Sequence, residues 1–124
     1  MRELNIGSKK YTKVICLDEP GNGGACHSYA VVGADVVEIE QGKEYKSFAV
    51  VAFQDGPIKE SGVNGCHQED LLSVVIDRLQ CFQKGEYACR ENAIALTKIE
   101  EAMMWLRKRT QDRIDRGVEG TRGK

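Results

Sequence analysis

The spacing of apolar residues in this 124-residue chain changes once, at Gly65, and that change limits the folds open to it. Before Gly65, β-branched and aromatic residues gather in short runs: Tyr11–Leu17, Ser28–Val32, Val36–Ile39 and Ser47–Phe53. Punctuated by glycine and charge, these runs predict three to five antiparallel strands. After Gly65 the intervals become three and four. Leu71, Leu72, Val75, Ile76, Leu79 and Phe82 share one face of a helix over Glu69–Lys84. Leu96, Ile99, Met103 and Leu106, widened by Ala95, Ala102 and Trp105, do the same over about Ala88–Arg116. The break at Gly85-Glu86-Tyr87 is short enough to fold the helices back antiparallel. Gly85 is expected to end the first helix in the left-handed conformation, and Gly117 to end the second.

The expected fold is α+β, a small antiparallel sheet followed by a long antiparallel helical hairpin that mediates dimerisation. At this length the chain reads as a single domain over 1–124, with a β-rich half at about 10–54 and the hairpin at 66–117. Met104 and Trp105 lie off the main stripe of the second helix, either packed under the sheet or facing another subunit. No apolar run approaches the roughly 18 residues of a membrane span. No apolar leader follows Met1-Arg2-Glu3-Leu4, and the five cysteines are odd in number and lack a Cys-x-x-Cys pair. Free thiols in the reducing cytoplasm are expected. Residues 107–124 carry a net charge of +4 and the rest −5. The absence of an overall basic excess argues against a DNA or RNA polymer as partner, while a small anion at the basic end stays open.

Candidate sites follow from residue chemistry. The loop Gly21-Asn22-Gly23-Gly24-Ala25 can aim backbone N–H groups at an anion, but it lacks the Lys-Ser/Thr of a phosphate loop and joins strand to strand. A mobile surface loop is the other reading. Cys26-His27 and Cys66-His67 raise zinc or a thiol nucleophile; neighbours on a strand face opposite ways, the zinc spacings are missing, and buried structural thiols fit as well. No metal or cofactor is expected. Asn92 falls in the first turn of the second helix, a capping position. Arg109 and Arg113, spaced i, i+4, share a face suited to a solvated basic end or to a pyrophosphate. Phe82 is a core residue or, beside the hairpin turn, a stacking platform. Asn92 and Arg109 stand 17 helical residues apart, about 25 Å at 1.5 Å per residue. One small ligand cannot bridge that within a single hairpin, so a pocket using both ends needs two chains, and two-fold symmetry then supplies two such pockets.

The stretch Asp18-Glu19-Pro20-Gly21-Asn22-Gly23-Gly24-Ala25-Cys26-His27-Ser28-Tyr29 resembles the phage-encoded Thoeris anti-defence sponge proteins of the first-described type. So do Glu69-Asp70-Leu71-Leu72 to Asp77-Arg78-Leu79, Cys89-Arg90-Glu91-Asn92-Ala93, Ile99-Glu100-Glu101-Ala102 and the tail Arg113–Thr121. The hairpin is also similar to that of anti-CBASS sponges, which lack the β-rich half. This resemblance implies a non-enzymatic role: binding cyclic ADP-ribose isomers of the glycocyclic type, made by TIR-domain enzymes, before they reach an effector. Carried over, Phe82 would stack on the ligand, Asn92 hydrogen-bond to it, and Arg109 and Arg113 meet its phosphates, with Asn22, Gly23, Gly24 and Ala25 closing over it. It also implies homodimers that assemble further and, in some members, cyclic oligonucleotides at a separate site. A competing class is an enzyme that hydrolyses the same signal through Cys26 or Cys66 and a histidine. A third is an interaction module that docks a host protein by its hairpin.

Overall fold

The computed structural model describes residues 1–37, 40 and 45–124. They form an α+β fold made of two compact units, Met1–Cys66 and His67–Lys124. The first unit is a four-stranded antiparallel sheet of β1 (Arg2–Glu3), β2 (Thr12–Cys16), β3 (Ser28–Gly33) and β4 (Ser47–Ala52), in that spatial order. The second is a helical hairpin of α2 (Gln68–Gln83) and α3 (Arg90–Asp115); a single turn of helix, α1 (Ile58–Ser61), belongs to the first unit.

The sheet obeys the alternation of its sequence. Ile15 pairs with Ala30 and Lys13 with Val32, so these four point to one face. There Ile15, Ala30 and Val32 are buried, with Met1, Leu17, Val36 and Tyr45 packed against them. Lys13 is buried too, its ammonium donating to Glu3 at 3.4 Å and to the carbonyl of Val36. That pairing explains β1, which two residues are too few to reveal by periodicity: Glu3 is needed where Lys13 is buried. The Lys9 and Lys13 ammonium groups hold the Glu3 carboxyl below its ordinary range. Cys16, also buried, pairs with Tyr29 on the opposite face, where the Tyr29 ring meets Phe53 edge to face at 5.8 Å.

Two expectations need amendment, and one short helix is added to them. Val36 and Val37 lie in no strand, and Glu38 and Ile39, the rest of that expected strand, fall outside the described residues. The chain after β4 also contains α1, which starts at Ile58 directly after Pro57, whose ring fixes φ at −63° at the helix entry. Gly85 does not adopt a left-handed conformation. Instead α2 tightens at its end, Lys84 and Gly85 donating to the carbonyls of Cys81 and Phe82, and the Gln83 amide brackets Cys89 by accepting from its N–H and donating to its carbonyl.

The hairpin termini are closed by named groups. Asp70 accepts from the His67 N–H at 2.9 Å at the start of α2. Cys89 caps α3, its sulfur accepting from the Asn92 N–H at 3.5 Å. At the far end Gly117 is left-handed at φ 73°, Gly117 donates to Ile114 and Val118 to Arg113, the paired bonds of a Schellman stop. No helix of the described residues is long and apolar enough to cross a membrane.

Candidate functional site

The residues expected to hold a ligand fall in three places. In the first unit, Asn22–Gly24 forms one 3-10 turn, entirely exposed, with Gly23 and Gly24 at positive φ. A side chain at either would meet nothing within 4 Å, so these glycines serve backbone conformation rather than close approach. The Gly24 N–H bonds to the Gly21 carbonyl and the Gly21 N–H to that of Ala25, which leaves fewer amides to face an anion. The loop is also tethered: the Asn22 amide donates to Asp55 at 2.7 Å, and the His27 ring lies 3.0 Å from the Asn22 carbonyl and 3.7 Å from Asp55. Asp55 is itself positioned by Asn64, which accepts from its N–H and donates to its carbonyl. Nothing in the sequence spacing announces Asp55, because it reaches the loop only through the sheet.

In the second unit, Phe82 and Asn92 flank the hairpin turn and both are half-buried. The guanidinium of Arg78, one turn before Phe82, sits 5.0 Å from the ring centroid and covers one face of it. The Asn92 backbone N–H is used in the cap, while no described residue takes a hydrogen bond from its side-chain amide. The capping role expected of Asn92 belongs to Cys89.

Arg109 and Arg113 sit toward the other end of α3, which runs without interruption through 26 residues. They share a face but not an environment. Arg109 is exposed and has no ionic partner among the described residues. Arg113 is only 8% exposed, its guanidinium donating to the Glu119 carboxylate at 2.9 Å and to the carbonyls of Val118, Thr121 and Gly123. Four of its five N–H donors thus fold the tail back onto the helix end. Beside this end a cleft of about 460 Å³ opens between α2 and α3, lined by Glu69, Ser73, Met103, Arg107 and Thr110.

The continuous helix keeps Asn92 and Arg109 the expected 17 residues apart, about 25 Å, so one hairpin does not bring them together. The histidines are otherwise engaged: His27 with Asn22 and Asp55, His67 with Asp70 at 3.9 Å. Cys66 serves the sheet edge, its N–H bonding to Ala52 and its carbonyl accepting from Gln54.

A sheet unit followed by a long two-helix hairpin, with apolar side chains exposed along that hairpin, defines an α+β protein. Residues 46–111 match the Acb2/Tad1 hairpin domain, and the chain belongs to that family, the Thoeris anti-defence sponge proteins. It is 60% identical over 76 residues to Thoeris anti-defense 1 of Bacillus phage SBSphiJ7, a match covering 61% of this chain and 54% of that relative. The chain therefore spans about half the length of the curated relative it matches. The family match encloses Phe82, Asn92 and Arg109 and ends before Arg113.

Proposed function

We propose that this protein is a phage anti-defence sponge that binds cyclic ADP-ribose isomers of the glycocyclic type and holds them intact, so that an immune effector is not activated. The name of the Bacillus phage relative supports the anti-defence role. The observation that carries the site is the unbroken α3. It keeps Asn92 and Arg109 about 25 Å apart, and among the described residues neither the Asn92 side-chain amide nor the Arg109 guanidinium has a partner. The pocket is then completed by two copies: Phe82 and Asn92 at the turn of one hairpin, and Arg109 from the end of its partner, where Arg113 holds the tail against the helix and contributes positive charge. Phe82 stacks on the base, the Asn92 amide reads a polar edge, and the Arg109 fork meets phosphate. The exposed Val74, Met104 and Trp105 supply apolar surface for a homodimer or larger assembly in the cytoplasm of the infected host. Cyclic oligonucleotides would occupy a separate site.

Sequestration demands tight binding and no chemistry, at nanomolar affinity about −12 kcal/mol. The test is to load the protein with glycocyclic ADP-ribose, denature it, and weigh what is released. Intact ligand is expected; a cleaved product, or nothing retained, overturns the reading. Phe82→Ala and Asn92→Ala should each weaken capture by about 10- to 100-fold with the fold unchanged, as losing one stacked base or one buried hydrogen bond implies. Wild-type affinity in both would refute the site.

A further inference from the structure

We propose that Cys16 Sγ, Cys26 Sγ and an Asp18 carboxylate oxygen form a binding site for a soft divalent cation, zinc above all, at the base of the glycine loop. The three ligand atoms lie within 4.8 Å of one another, although Cys16 ends β2 and Cys26 precedes β3. Cys16 Sγ is 3.7 Å from Asp18 Oδ1 and 3.3 Å from the Asp18 carbonyl oxygen. Zinc bonds of about 2.3 Å to sulfur and about 2.0–2.2 Å to oxygen, opened to the tetrahedral angle, hold sulfur and oxygen about 3.5 Å apart. The pocket is thus already near the required size.

Two further features fit. The Asp18 carboxylate is aimed by the backbone amides of His27 and Ser28, which donate to it at 3.0–3.2 Å, the kind of outer support that fixes a metal ligand. The Arg2 guanidinium lies 4.0 Å from Cys26 Sγ. Two thiolates, one carboxylate and one guanidinium sum to −2, which a divalent ion neutralises. Two sulfur donors select zinc over magnesium or calcium. As the ion enters, each S–H bond breaks, its proton passes to solvent and a sulfur–metal bond takes its place; the Asp18 carbonyl or a water completes four ligands. This site is independent of the cyclic ADP-ribose reading and would clamp both stems of the loop spanning Leu17–Ala25.

The experiment titrates the reduced, metal-stripped full chain with Co2+ and then Zn2+ alone. One Co2+ per chain should bind with sulfur-to-cobalt charge-transfer absorption, and Zn2+ should displace it and protect Cys26 from alkylation while the exposed Cys81 and Cys89 react. Because Cys16 is buried, the decisive variant is Cys26→Ser, which should lose the charge-transfer band and weaken zinc at least about a hundredfold; Asp18→Asn should weaken it about 10- to 100-fold. Replacing Cys66, Cys81 and Cys89 together by serine should change nothing. The proposal is overturned if the wild type shows no thiolate band, if the band survives Cys26→Ser, or if it vanishes with the other three cysteines.

Discussion

The two units of this protein solve burial differently. The sheet unit contains apolar side chains that are essentially sealed, Ile15 and Val32 at 1% exposure. The helical unit, with comparable apolar content, seals none; its one buried side chain is Arg113. A sheet closes a core by register, because paired residues on one face are brought together whatever their distance in sequence. Two helices can only share a seam, and a seam leaves each cylinder's far side open. Met104, Trp105 and Val74, each about two-thirds exposed, lie on such open surface. The sheet unit therefore holds a sealed apolar core of its own, whereas the hairpin holds its two helices along one seam and leaves apolar surface exposed.

Ile15→Ala should break the comparison hardest, removing about 2–5 kcal/mol from the sheet unit in a denaturant titration because the cavity cannot collapse. A loss under 1 kcal/mol would mean this core is not what holds the sheet. Trp105→Glu should barely disturb the hairpin of an isolated chain yet dissociate the proposed assembly, since covering one large apolar side chain contributes about 1.5–3 kcal/mol. Light scattering showing an unchanged particle mass would exclude this face from the interface. Arg113→Ala should cost about 1–3 kcal/mol and free residues 117–124 to fast hydrogen exchange, because Glu119 and three carbonyls lose their donor. Arg109→Ala on the neighbouring turn should leave that exchange unaltered, and equal effects would erase the contrast between the two arginines. Gly117→Ala should cost about 1 kcal/mol in thermal unfolding, from forcing a side chain into left-handed backbone.

The smallest effect concerns acid. Amide donation by His27, then by Ser28, holds the Asp18 carboxyl below its ordinary value. A depressed folded-state value stabilises the fold fully above about pH 3.9, the ordinary carboxylate value, and the contribution fades as pH falls through the lowered one. Asp18→Asn should therefore flatten the acid limb of the sheet unit's stability profile below that point, and an unchanged limb would remove Asp18 from it.

Much of the fold could be read along the chain. Both long helices, three of the strands and the stop at Gly117 follow from intervals between apolar residues and from one glycine, because these depend on neighbours within a few positions. Gly85 departs from a left-handed stop because reciprocal hydrogen bonds between the Gln83 amide and the Cys89 backbone hold the turn without one. β1 was hidden by its length, its purpose being the buried Lys13 that Glu3 neutralises. Of the candidate site, the separation of Asn92 from Arg109 was legible in advance, since helical rise is invariant. The unlike fates of Arg109 and Arg113 were not, since their spacing is that of equivalent positions.

The change from sheet to hairpin, the length of α3 and the residue types at its two ends are all written in local periodicity. The grip of Arg113 on the tail, the tether of Asp55 on the glycine loop and the convergence of Cys16, Asp18 and Cys26 arise only in the folded chain. Each of those depends on chain reversal bringing distant atoms within bonding range, and spacing along one strand or helix carries no record of where the chain returns.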